Sequence, residues 1–194
     1  SRVAIRNIRR DGNDELKKMQ KDSKLTEDEL KTAEEALQKS TDKFIADINK
    51  LLEAKEKEIK RAEEALKKME ELIRSKYSSA KKDDDGVYYF ITKEGSGLQA
   101  EKGKTLKMKY KGSLLESGKV FDDSDMHKPL EFPVGVGRVI PGFDSQSAKM
   151  TLGEKRIIII PPHLAYGYAS IDGLIPPNSY LVFTTTSRGN YLLT

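Results

Sequence analysis

The chain has 194 residues, room for one large or two small domains, and its 37% apolar and 34% charged content is too polar for a single core of that length, so part of it is expected to be an extended helical element. A net charge of +4 is only mildly basic and argues little for nucleic acid by itself. The absence of cysteine excludes a disulfide framework and a thiolate metal site and fits a cytoplasmic or a periplasmic setting, while the lack of any run of about 18 apolar residues excludes a membrane-spanning helix.

Composition changes sharply near residue 80. Residues 1–79 contain no proline and one glycine, and are dense in Lys, Glu, Ala and Leu; all seven prolines lie beyond them. No secretory leader is visible, and Ser1 is not an initiating residue, which leaves room for an upstream segment. The expected organisation is α+β. A long antiparallel helical hairpin occupies residues 1–79, "AKKDDDG" (80–86) is a linker, and a β-rich domain fills 87–194.

The first helix is expected from about Val3 to Met19. Ile5, Ile8, Gly12, Leu16 and Met19 form one stripe at helical spacing, and Arg2, Arg6, Arg9 and Arg10 form a separate face. "KDSKLT" breaks the helix. "TEDE" (Thr26 to Glu29) is then a capping box, with Leu25 and Leu30 placed as a hydrophobic staple. The second helix meets no breaker until about Ser78, which makes it roughly 75–80 Å long. Its stripe runs Leu30, Ala33, Leu37, Phe44, Ile48, Leu51, Ile59, Ala62, Leu66, Met69, Ile73, interrupted by Lys55. The first helix covers only about a third of that length, so the rest is expected to pack on the C-terminal domain, a second copy or a missing segment. The heptad-like spacing favours self-association.

In the β-rich half, "VYYFITKEGSG" reads as a strand and a glycine turn. "KTLKMKYKGSLL" alternates and places Leu106, Met108 and Tyr110 on one face. "ESGK" is a hairpin turn. "VFDDSD" and "PLEFPVGVGRVIPGFDSQSAKM" lead into a short helix expected from Pro141 to Met150. "EKRIIIIPP" is a buried strand, "HLAYGYASIDGLIPPN" a long loop and "SYLVF" a returning strand. After it, "SRGN" is expected to turn the chain, leaving the placement of Tyr191 to Leu193 open.

The residues offer no Ser/His/Asp set. His127 and His163 stand alone and read as surface or loop residues. "GVGRVIPG" lacks the strand–glycine–helix context of a dinucleotide site, and "DDSD" is far shorter than a calcium loop. No metal or cofactor is expected. Phe121, Phe132, Val139, Ile140, Phe143, Tyr166 and Ile175 are apolar or aromatic residues in segments that normally expose polar groups. They suggest an apolar concave site, or else the plug of a small sheet core.

"KMKYKGSLLESGKVFDDS", "EFPVGVGRVIPGFDSQSAKMTLGEKRIIIIPPHLAYG" and "GLIPPNSYLVF" closely resemble the FKBP-type peptidyl-prolyl cis-trans isomerases over about Val87 to Phe183. The resemblance implies a bent antiparallel sheet wrapped around one short helix. It also implies a substrate pocket of Tyr110, Phe121, Asp122, Phe132, Val139, Ile140, Phe143, Tyr166, Ile175 and Phe183. Phe143 would be the floor, where many relatives carry tryptophan. The Ile140 N–H and the Tyr166 hydroxyl would hold carbonyls of substrate or macrolide, and Asp122 would be a polar wall. The implied partners are proline-containing peptides, unfolded proteins and macrolide inhibitors. Ile171 stands where some members carry histidine, which bears on macrolide affinity more than on activity.

"RVAIRNIRRDGNDELKKMQKDSKLTEDELKTAEEALQKSTDKFIADINKLLEAKEKEI" resembles the C-terminal part of ribosome recycling factor, over about Arg2 to Ile59. Arg6, Arg9 and Arg10 match that family's RNA-contacting arginines, and the planar fork of arginine suits phosphate. The bundle's first helix and its small β-domain are missing, so ribosome recycling is not expected and any ribosomal RNA contact would be weak. The two resemblances meet inside an uninterrupted helix. That fits a chimera of two families, or an isomerase chaperone carrying a helical dimerisation arm. An RNA-binding module with the isomerase as passenger and a structural dimer scaffold are the alternatives.

Overall fold

The computed structural model describes residues 2–171 and 173–190. The chain divides into two compact units, one running to Lys68 and one beginning at Met69.

The first unit is helical. Helix α1 (Arg2–Lys21) ends because Ser23 adopts the left-handed region (φ 56°). The Lys24 N–H then reaches back to the Met19 carbonyl at 2.9 Å and the Ser23 N–H to Gln20 at 3.0 Å, which together satisfy the last carbonyls. Helix α2 (Glu27–Lys76) starts at the expected capping box. The Thr26 N–H donates to Glu29 Oε2 at 2.8 Å, and the Glu29 N–H donates to Thr26 Oγ1 at 3.3 Å. The bond from the Thr26 N–H, then that from the Thr26 hydroxyl to Oε2 at 2.9 Å, hold the Glu29 carboxyl below its ordinary range. The helices approach closely at Gly12, where a Cβ would lie 2.9 Å from Leu37 Cδ2. Ile5, Leu16 and Met19 are half-buried in this unit, but Ile8 is exposed, one position of the expected stripe that faces solvent. Along α2 every residue from Leu51 to Lys68 is exposed.

The second unit takes in the last turns of α2 and all the strands: β1 (Lys81–Lys82), β2 (Tyr88–Lys93), β3 (Thr105–Leu114), β4 (Val120–Asp123), β5 (Leu130–Pro133), β6 (Lys155–Ile160) and β7 (Leu181–Asn190). They form one antiparallel sheet in the order β1-β2-β6-β7-β3-β4, with β5 pairing the other part of β3. Alternation sorts its side chains. Leu106, Met108, Ile158, Ile160, Leu181 and Phe183 face the main core, together with α3 (Pro141–Ser147). Ile159, Val182 and Leu115 face the other way and are closed over by Ile73, Met69, Leu72 and Tyr77. The Lys76 ammonium caps this contact by donating to the Leu115 carbonyl at 2.8 Å. Glu70 adds the Tyr88 hydroxyl at 3.0 Å and Lys82 at 3.1 Å.

Three expectations differ from what is observed. The short helix ends at Ser147, before Met150. Residues 80–86 are not a free linker. They carry β1, and the Asp83 carboxylate accepts from the Val87 N–H at 2.9 Å and pairs with Lys149 at 3.0 Å. "SRGN" does not turn the chain. It continues β7 against β3 to Asn190, with a register shift between Leu106 and Met108. Just before this stretch buried Thr185 donates to the Arg156 carbonyl at 2.8 Å, and at its start the Ser187 N–H donates to the Glu154 carbonyl at 3.0 Å. Tyr191 to Leu193 lie outside the described residues.

Candidate active site

The site is a cavity of about 470 Å³ on the core side of the sheet, lined by Tyr110, Phe121, Asp122, Leu130, Gly137, Arg138, Val139, Ile140, Phe143, Tyr166 and Phe183. Its construction begins at Gly112. That residue lies opposite Asp122 on β4 and Phe183 on β7. A Cβ at Gly112 would fall 2.5 Å from the Phe121 ring and 3.0 Å from Phe183, so only glycine leaves room for both rings. The pairing of β3 with β4 shifts register between Gly112 and Ser113, which leaves Phe121 as an extra residue. Such a bulge lets the sequence neighbours Phe121 and Asp122 both reach the cavity, where a regular strand would send them to opposite faces.

The rim is the segment Gly137 to Ile140. It is pinned by Asp144 of α3, whose two carboxylate oxygens accept the N–H groups of Gly135 and Gly137, each at 2.7 Å. Both glycines sit at positive φ (74° and 75°), a conformation that side chains resist. This is the use of the "GVG" spacing. Ile140 closes the segment as the cap of α3. Among the described residues, its N–H has no acceptor within the chain.

The walls are aromatic and packed edge to face. Phe143 and Phe183 lie 5.0 Å apart at 68°, Phe121 and Phe183 5.7 Å apart at 79°, and Tyr110 and Phe143 6.0 Å apart at 74°. Polar groups are few. The Tyr110 hydroxyl donates to Asp122 Oδ2, and His127 Nε2 lies 2.9 Å from Asp122 Oδ1. Burial, then the bond to Asp122, raises the Tyr110 phenol well above its ordinary value. Burial pushes the Asp122 carboxyl up, but the bonds from Tyr110 and His127 and the His127 charge outweigh it, so Asp122 is held below the usual carboxylate range. The arrangement offers an aromatic slot with one ionised wall, a hydroxyl at Tyr166 and a free N–H at the rim. It offers no nucleophile–base pair. Among the described residues no group of three His, Asp or Glu could hold a metal ion, and no helix is long and apolar enough to cross a membrane.

Eight of the ten pocket residues expected from the sequence line this cavity. Phe132 and Ile175 do not. Each is only 4% exposed and belongs to the core, Phe132 behind the Phe143 ring at 5.9 Å. Ile175 instead borders a separate cavity of about 240 Å³ with Leu114, Ile171 and Leu174. Leu130, Gly137 and Arg138 were not expected. Leu130 precedes Phe132 by two on β5 and so shares its face, a signal that strand alternation carries. His127 is an exposed loop residue, as expected, but it is not isolated. The three candidate RNA-facing arginines lie in the helical unit. Arg6 is exposed, Arg9 donates to Gln38 Oε1 at 2.6 Å, and Arg10 sits 3.5 Å from Asp11.

Comparison with known proteins finds one family in the helical part and another in the β-rich part. Residues 1–59 match the ribosome recycling factor family. Over 55 residues they are 75% identical to the ribosome-recycling factor of Treponema denticola, covering 28% of this chain but only 30% of that one. Residues 97–186 match the family described as FKBP-type peptidyl-prolyl cis-trans isomerase. Over 101 residues the chain is 48% identical to FK506-binding protein 2 of Yarrowia lipolytica, covering 52% of this chain and 69% of the relative. The crystal structure of AtFKBP13 superposes with a TM-score of 0.54 at 40% identity, covering 58% of this chain and 98% of that one. At 48% identity over more than two thirds of that first isomerase relative, the chain belongs to the FKBP-type peptidyl-prolyl cis-trans isomerase family.

Proposed function

We propose that the aromatic cavity is where this chain rotates X–Pro peptide bonds, and that the helical unit is an arm for self-association. Rotation about X–Pro breaks amide resonance against a barrier of about 18–20 kcal/mol and makes or breaks no bond. The twisted amide is less charge-separated than the planar one, so a dry aromatic slot favours the transition state over the ground state. Phe143 would lie under the proline ring, with Phe121 and Phe183 beside it. The Ile140 N–H and Tyr166 hydroxyl would hold the flanking carbonyls. The observation that carries this reading is the convergence of five aromatic rings with one unspent backbone donor around one cavity. Substrates are proline-containing peptides and unfolded proteins. Relatives named FK506-binding proteins suggest that macrolides of that type occupy the same slot.

The test is turnover of a proline tetrapeptide. Phe121→Ala or Tyr166→Phe lowers kcat/KM while the domain stays folded by circular dichroism. Unchanged turnover in both variants would sink the site.

The arm reading rests on exposed apolar residues at helical spacing, Phe44, Leu51, Ile59 and Leu66. Light scattering tests it: a strict monomer at micromolar concentration contradicts self-association. A second reading, weak contact of Arg6, Arg9 and Arg10 with ribosomal RNA, is supported by the match of residues 1–59. Filter binding across a salt series tests it, since phosphate contacts give affinity that falls steeply with salt. A chimera of two families accounts for both matches within one chain.

A further inference from the structure

After β4, the loop through Ser124 and Asp125 brings His127 back over Asp122. Both ring nitrogens of His127 face oxygens. Nδ1 is 2.7 Å from the Lys128 carbonyl and Nε2 is 2.9 Å from Asp122 Oδ1. A carbonyl oxygen only accepts, and so does an ionised carboxylate. A neutral imidazole carries one N–H and could satisfy one of these contacts. The imidazolium, with two, satisfies both.

We infer that His127 is a positioning residue for the cavity: as the imidazolium it holds the Asp122 wall in place, and loss of its proton weakens prolyl turnover. This rests on the reading of the cavity as the isomerase site. Asp122 is held at two points, by Tyr110 on Oδ2 and by His127 on Oδ1. Without the second proton one of the two contacts is lost, at Lys128 or at Oδ1 according to the tautomer, so the ring is no longer anchored at both ends. In either tautomer the positive charge that balances Asp122 at the wall of an apolar slot is gone.

The groups around His127 all favour the charged ring. Asp122 and Asp123 come from β4, and the Tyr110 ring of β3 lies 6.3 Å away. Lys128 contributes its carbonyl. The nearby cations are engaged elsewhere, Lys111 with Asp123 at 2.9 Å and Lys109 with Asp125. The bond to Asp122, then that to Lys128, raises the His127 titration above the ordinary imidazole value. A group shifted this way is charged below its ordinary value and loses the proton only as pH rises through the raised one. Wall positioning is therefore complete in mild acid and is lost on the alkaline side.

The experiment measures kcat/KM for an uncharged proline tetrapeptide by exchange NMR, without a coupling protease, across a pH series on the full chain. In parallel, imidazole ¹⁵N shifts follow His127 itself. Wild type falls roughly 2- to 10-fold, the size of one ordinary hydrogen bond, and the fall tracks the His127 titration. His127→Arg removes the pH dependence because guanidinium stays charged. His127→Ala is flat at the lower level. A wild-type chain that is active with a flat profile, or that superposes on His127→Ala at every pH, overturns this inference alone. So does a ¹⁵N spectrum showing one protonated nitrogen in mild acid. A wild-type chain inactive at every pH overturns the cavity reading and this one together.

Discussion

Leu66 and Ile73 stand seven residues apart on one helix and on one apolar stripe, yet Leu66 is 50% exposed and Ile73 is 1% exposed. The stretch from Leu51 to Lys68 has the same periodicity as the stretch from Met69 to Lys76. Only the latter meets a sheet surface shaped to receive it, made of Leu115, Ile159 and Val182. A helical stripe thus says which face is apolar and nothing about what covers it. The unit boundary follows the covering and cuts the helix between Lys68 and Met69.

The most drastic way to break this contrast is to move the start of the chain. A fragment beginning at Val87 loses Met69, Leu72, Ile73 and Tyr77 from the outer face of the sheet, and loses the Asp83 bonds as well. It is expected to be unfolded or aggregated, whereas a fragment beginning at Met69 gives a cooperative urea transition. Next in size is Ile73→Ala, which leaves a void against Ile159 and Val182. It costs about 2–4 kcal/mol in urea denaturation of the full chain.

A smaller effect comes from Glu70. Its bonds to Lys82 and Tyr88 hold its carboxyl below the ordinary value. The stability it adds is complete above the unfolded carboxylate pKa and is lost as pH falls through the folded one. Glu70→Gln therefore flattens the acid side of the stability profile slightly. Smallest is Leu66→Ala, expected within about 0.5 kcal/mol at concentrations low enough to keep the chain monomeric, for a side chain half exposed on its helix. A larger loss that grows with protein concentration would show that a second copy covers the stripe, and would sharpen the contrast.

How much of this was legible beforehand differs by element. The capping box at Thr26, the alternation of Leu106 and Met108, and the buried Ile158 to Ile160 run are local signals, and local physics decided them. The end of the short helix and the continuation of β7 through "SRGN" were not legible. Pairing with β3 and the buried bond from Thr185 to the Arg156 carbonyl override the weak strand preference of Arg-Gly-Asn. Asp83 looked like part of a charged linker because its partners, Val87 and Lys149, meet it only after the sheet has formed. In the site, the aromatic residues were legible as a group. That Phe132 and Ile175 back the cavity instead of lining it depends on packing depth, which no spacing records. His127 reads as isolated in the sequence because its partner lies five residues back and meets it only when the loop folds over β4.

The central claim is that the second unit by itself holds the isomerase. The most direct test is kcat/KM for a proline tetrapeptide, measured for residues 69–194 and for the full chain under one set of conditions. The account predicts values equal within about twofold, since a short peptide asks nothing of the helical unit, and a loss in both chains on Phe121→Ala. A folded 69–194 fragment that is inactive beside an active full chain would contradict it.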